Sequence, residues 1–188
     1  MRILSIYLFL FCLNAQAGFV EIGASGSLRE SNLDDDNGTE TRSITGSISY
    51  YFLENSAIEL SYTEGFQETQ GTANVGGTAT AYNQIVNFEM IGLDFILSGG
   101  DKNAVLKPYI KAGGAYQLKE IEFKLVGSEK FMDDTDGMFI TYGIGFKLRF
   151  SKNWSIKVGY DGYTGPVDND KQQEQTDSTT RAGISFIF

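Results

Sequence analysis

The side chains best equipped for chemistry in this chain are carboxylates, lysines and arginines. Histidine is absent and the only thiol is Cys12. Without imidazole there is no Ser-His-Asp triad, no histidine general base and no histidine metal site. One cysteine cannot build a disulfide framework. A serine or carboxylate nucleophile would need an activating partner, and the spacing offers none, so no catalytic residue is assigned. One population of carboxylates clusters in polar stretches: Glu30, Asp34, Asp35, Asp36 and Glu40 around Asn37-Gly38, then Asp133, Asp134 and Asp136 before Gly137, then Asp168, Asp170, Glu174 and Asp177. Such clusters suggest Ca²⁺, whose EF-hand loop needs a carboxylate five residues before an invariant glycine. Aligning Gly38 puts Leu33 there, and aligning Gly137 puts Met132 there. Neither a metal site nor a cofactor is expected, and these stretches are read as solvated loops. The second population is more ordered. Glu21, Glu59, Asp94 and Asp161, together with Lys111, Lys147, Arg149, Lys157 and Arg181, each sit in a segment whose apolar residues recur at every second position.

Those segments are the elements that must position the charges. Strict alternation marks a half-buried strand, and eight runs show it. Val20 to Leu28 alternates with Glu21 to Arg29, Ile44 to Phe52 with Ser43 to Tyr51, and Ile58 to Tyr62 with Glu59 to Thr63. Ile91 to Leu97 faces away from Gly92 and Asp94, and Ile110 to Leu118 away from Lys111 to Gln117. Tyr142 to Phe150 opposes Thr141 to Arg149, Trp154 to Tyr160 opposes Ser155 to Asp161, and Ala182 to Phe188 opposes Arg181 to Ser185. Val86 and Phe88 carry the other parity from Ile91, which predicts a bulge near Glu89. Brief connections at 53–56, 98–104 and 151–153 alternate with long polar ones at 30–41, 67–81, 119–137 and 164–177. Each run matches the 9–11 residues of a tilted membrane strand. An even number of strands with alternating short turns and long loops predicts an all-β, eight-stranded antiparallel up-and-down transmembrane barrel.

Such a barrel has room inside only for side chains. The apolar face then meets lipid, and the charged face fills the lumen, where opposite signs can pair. The network predicted there is Glu21, Glu59, Asp94, Lys111, Lys147, Arg149, Lys157, Asp161 and Arg181. It forms either a static plug, the favoured reading, or a conduction path. Phe52, Phe95, Phe150 and Trp154 cluster at the short-turn end as interfacial aromatics, with Tyr62, Phe66, Tyr116 and Tyr160 nearer the other interface.

The two ends of the chain carry addresses. Residues 1–17 place Arg2 before an apolar run from Ile3 to Leu13 and end in Ala15-Gln16-Ala17, the order of a cleaved signal peptide. Residues 18–188 are then the barrel. Phe11 before Cys12 argues against lipidation. Cleavage would leave 14 basic against 24 acidic residues, moving the net charge from −9 to −10. That balance disfavours nucleic acid, whose phosphates demand surplus Lys and Arg. The terminal RAGISFIF, with Arg181, Gly183, Phe186 and Phe188, reads as an assembly signal.

The eight-run pattern, KPYIKAGGAY at 107–116, GIGFKLRF at 143–150 and the terminal RAGISFIF together resemble the outer-membrane protein β-barrel family. That family is similar to the OmpA transmembrane domain and includes small opacity-type and accessory-colonisation-factor-type barrels. The resemblance spans residues 18–188. It implies a Gram-negative outer-membrane location, contact with lipid and lipopolysaccharide, and assembly by the barrel insertion machinery. The chain departs from full-length OmpA in stopping at the barrel, so a peptidoglycan-anchoring role is not expected to transfer. The expected function is a non-catalytic surface protein whose loops serve adhesion or envelope integrity through an unknown extracellular ligand. The alternative is a small pore or a transport barrel for hydrophobic compounds. The lipid-modifying and protein-cleaving barrels use histidine, which this chain lacks.

Overall fold

Alternation carried far enough lets a sheet close on itself, and here the first strand meets the last. The structure is a computed structural model that describes residues 18–34, 37–75, 78–101, 104–125, 131–166 and 174–188. The expected signal peptide at 1–17, with Cys12, lies outside the described residues, as do Asp35, Asp36, Asp168 and Asp170. The side chains of Glu30, Asp34, Asp133, Asp134 and Glu174 lie outside them too.

Eight strands follow in order: β1 (Phe19–Asp34), β2 (Asn37–Leu53), β3 (Ser56–Val75), β4 (Thr78–Ser98), β5 (Leu106–Leu125), β6 (Phe131–Arg149), β7 (Trp154–Pro166) and β8 (Glu174–Ile187). Each pairs antiparallel with its neighbours in sequence, and β1 pairs with β8 to close the barrel. Closure removes the free sheet edges that hydrocarbon cannot tolerate. The β1–β8 seam runs from Glu21↔Ile187 to Ser27↔Arg181, and Phe188 N–H adds a 2.9 Å bond to the Val20 carbonyl.

The predicted parity of the eight runs holds. Ile44 is 73% exposed and Ile144 58%, whereas Glu21 is fully buried inside. Tight connections join β2 to β3 through Glu54-Asn55 and β6 to β7 through 150–153. Gly100 in the β4–β5 connection has φ +89°, a left-handed conformation suited to glycine.

Two expectations are corrected. The long connections are mostly strand. β1 and β2 pair out to Asp34↔Asn37, β3 and β4 to Val75↔Thr78, and β5 and β6 to Phe123↔Phe131. Strands therefore run 13 to 21 residues, well beyond the expected 9–11. Their polar outer parts are rich in Thr, Ser, Gln and Asn, and the ladder satisfies their backbone groups whether or not apolar side chains are present. The second correction concerns β4. Its registers with β3 and β5 pass through Glu89 without a shift, so there is no bulge. Val86, Phe88 and Met90 instead point into the barrel while Asn87, Glu89 and Ile91 point out. The register shifts lie elsewhere, between Asn32 and Asp34 and between Tyr51 and Leu53.

Candidate functional site: the lumenal charge network

Lumen-facing charges meet in two connected groups. Nearer the short turns, Glu21 accepts from Lys147 and forms an ion pair with Lys157 Nζ at 2.8 Å, and Lys157 also reaches Glu59 Oε2 at 3.2 Å. Ser49 donates to Glu59 at 2.8 Å, and Lys147 donates to the Tyr51 hydroxyl at 3.0 Å. Nearer the long hairpins, Lys111 Nζ lies 3.0 Å from Asp161 and 3.8 Å from Asp94. Arg181 contacts Asp161 at 3.3 Å and the Tyr163 hydroxyl at 2.8 Å, and Thr141 donates to Asp94. Each group balances two carboxylates against two cations. That balance is what burial of charge requires, because an ion removed from water must find its counter-charge in the protein.

Ladder order explains why the network needs a closed barrel. Glu59 is the register partner of Asp94, and Lys147 that of Lys157. Like charges thus lie side by side, an unfavourable arrangement within a flat sheet. The opposite charges arrive from other strands. Glu21 of β1 meets Lys147 of β6 and Lys157 of β7, and Glu59 of β3 meets Lys157 of β7. Only the curved wall brings them within reach.

Two glycines open the crossings. Gly143 stands between Lys111 and Asp161 in the ladder, and a Cβ there would fall 2.5 Å from Asp161 Oδ1 and 2.9 Å from Lys111 Cε. Gly113 stands between Asp94 and Thr141 in the same way, and a Cβ there would press on the Leu93 carbonyl and the Asp94 carboxylate. Here glycine is required for close approach of neighbouring side chains.

Of the predicted network residues, the structure brings together Glu21, Glu59, Asp94, Lys111, Lys147, Lys157, Asp161 and Arg181. Arg149 lies apart, at the short-turn end, where its guanidinium donates to the Ala104 carbonyl at 3.1 Å. Tyr51, Ser49, Thr141 and Tyr163 are partners that sequence reading did not single out, although the first three lie on the polar parity of their runs. Tyr51 also joins Ala57 and Ile96 in an apolar cluster with Phe19 and Tyr109 packed against it. Inside the network lies a small cavity of about 40 Å³. Larger cavities lie on either side. One of about 340 Å³ opens toward the hairpins, and one of about 230 Å³ is lined by Lys107, Lys147, Arg149 and Lys152 toward the turns.

Of the four aromatics predicted at the turn-end interface, Phe95, Phe150 and Trp154 are exposed on the outer wall and Phe52 is half-buried, its ring 6.1 Å from that of Phe95. Trp154 packs edge-on against Phe186 at 5.0 Å, and Phe186 against Phe188 at 4.8 Å. In the predicted assembly signal, Gly183 is the point of closest approach, where a Cβ would press on the Ala24 carbonyl and on Ser25. Toward the hairpins the apolar wall gives way to exposed Glu64, Glu89, Glu120 and Asp136, and the Tyr116 hydroxyl donates to Asp136.

A closed eight-stranded barrel with an apolar exterior and a charge-paired interior defines an integral outer-membrane barrel. The profile of the "Outer membrane protein beta-barrel domain" family matches residues 3–187, and the chain belongs to that family. It is 28% identical over 144 residues to outer membrane porin F of Pseudomonas aeruginosa. That match covers 76% of this chain but 37% of the relative's length. Among solved structures, the N-terminal barrel domain of Pseudomonas aeruginosa OprF superposes with a TM-score of 0.59 at 24% identity, covering 90% of this chain and 97% of that one. A major outer membrane protein of Thermus thermophilus superposes at 0.52 with 9% identity, covering 92% and 100%. Both likenesses concern the fold. The protein is an OmpA-like barrel of the Gram-negative outer membrane.

Proposed function

We propose that this barrel is a non-catalytic surface protein whose long hairpins make contacts outside the cell, in adhesion or in envelope integrity. The observation that carries the reading is the narrow, charge-paired lumen. A charge-balanced network around a cavity of about 40 Å³ lies between the two ends, while four hairpins of extended strand rise from one end only. Binding residues commonly reside on such projecting connections. Export by cleavage after Ala17, delivery by the barrel insertion machinery and contact with lipopolysaccharide belong to the same reading. The terminal Arg181, Gly183, Phe186 and Phe188 serve in it as the assembly signal, and the turn-end aromatics as an interfacial belt.

The test pairs two measurements. In planar bilayers the purified protein is expected to give no stable conductance. Shortening the β1–β2 hairpin by residues 31–39 is expected to leave assembly intact, read by the heat-dependent gel shift of folded barrels, and to abolish attachment to host cells or envelope partners. Unchanged attachment after removal of each hairpin in turn would sink the surface reading.

A second reading, a small pore, is favoured by the two cavities that flank the network. Rearrangement of the two ion-pair groups would join them, and the matched relative bears the name porin. Reproducible ohmic steps whose size changes with Glu59→Ala would establish it.

A further inference from the structure

The hairpin-side cavity departs from the rule that governs the rest of the barrel. Within the lipid-facing band, apolar residues point out and polar ones in. Beyond it, on β4, the pattern reverses: Asn87 and Glu89 face outward while Val86, Phe88 and Met90 face inward. Outside the membrane the surroundings are water, so this is the arrangement of a soluble barrel, whose eight strands can hold one small ligand.

Ile121 and Phe139 extend the apolar wall across β5 and β6. A stabilising core of these side chains would fill the centre, yet about 340 Å³ stays open, within the range of small-molecule sites, roughly 300–1,000 Å³. Two glycines account for the space. The Phe88 ring lies over its register partner Gly65, and the Phe139 ring over Gly165, so both rings sit back against the wall. Thr63, Gln67, Gln84 and Gln117 supply donors and acceptors around the apolar patch. The charges at the site are engaged: Arg29 with Asp177 at 3.5 Å, Lys119 over the Phe139 ring at 5.4 Å, Arg181 with Asp161. Tyr163, which accepts from Arg181, ties the lining to the ion-pair network.

We propose that the outer lumen is a binding pocket for a small neutral amphiphile with an aromatic or aliphatic body and one or two hydrogen-bonding groups. This inference goes beyond the surface-contact reading and does not depend on it.

Three methionines of the described residues provide the test. Met90 lines the pocket, whereas Met132 and Met138 are 63% and 67% exposed on the outer wall. Full-length protein carrying ¹³C-methyl methionine in lipid nanodiscs is titrated with indole. The expected result is a saturable shift of the Met90 methyl with Met132 and Met138 unmoved. Val86→Trp, and Thr135→Trp at the mouth should each weaken the response about tenfold or more, tenfold being about 1.4 kcal/mol of binding energy. The gel shift confirms which variants fold, and Thr135 is only half-buried, so one occluding variant survives if Val86→Trp does not. A Met90 shift that is absent, that rises linearly in step with Met138, or that persists unchanged in a folded occluding variant overturns the proposal.

Discussion

Lys111 of β5 and Asp161 of β7 form a 3.0 Å ion pair over the bare backbone of Gly143, the β6 residue that separates them in the ladder. A side chain at 143 would occupy the crossing. Gly143→Val should cost about 1–3 kcal/mol as an overpacked site. Gly46 faces outward with nothing within 4 Å of its Cβ position, so Gly46→Ala should leave stability unchanged. Urea unfolding in lipid vesicles, followed by gel mobility, compares the two. Equal midpoints would mean that the crossing tolerates bulk.

Lys157 serves Glu21 and Glu59 together. Lys157→Met leaves three network charges on the turn side, two of them acids. Loss of one partner from a buried ion pair costs about 3–5 kcal/mol. The double variant Lys157→Met/Glu59→Gln keeps Glu21 with Lys147 and should recover part of that loss. A double variant no more stable than the single would show that Glu59 gains nothing from Lys157.

Ile144 stands between Tyr142 and Phe146 on the outer wall of β6 and is 58% exposed. Charge near the middle of the lipid face of a barrel costs about 2–4 kcal/mol. Ile144→Arg should lower the unfolding midpoint accordingly, whereas Met132→Arg, near the hairpin end of the same strand, should not. A tolerated arginine at 144 would misplace the lipid band.

Phe188 contributes a ring packed against Phe186 and a backbone bond to Val20. Phe188→Ala removes the ring and keeps the bond, and deletion of Phe188 removes both. If the terminal aromatic is an assembly signal, both variants should fold slowly in the presence of the insertion machinery, while Phe188→Ala refolds normally in detergent. Slowing in detergent alone would assign Phe188 to seam closure.

The charged positions of the lumen were legible because alternation fixes which face a residue takes wherever one side meets lipid. A side chain at Glu21 or Asp161 can only point away from Ile22 or Tyr160. Their pairing was not legible. Glu21 and Lys147 are 126 residues apart, and nothing local ties them. Arg149 shares parity with Lys147 but sits one step beyond the network. The β4 register failed for a different reason. Taking apolar to mean outward demanded a bulge at Glu89, whereas on β4 the rule reverses toward the hairpin end. The hairpin ladders were missed because their polar residues lack an apolar alternation, and backbone hydrogen bonding does not need one.

By itself, then, the sequence determined the strand count, the parity of each strand and the class of membrane structure, all consequences of a two-residue repeat facing a nonpolar solvent. Tertiary structure decided which charges neutralise one another, how far the strands rise, and that the outer lumen holds a cavity with an apolar patch on β4 to β6. Those outcomes depend on shear and closure of the barrel, which bring distant strands together and which no local pattern encodes.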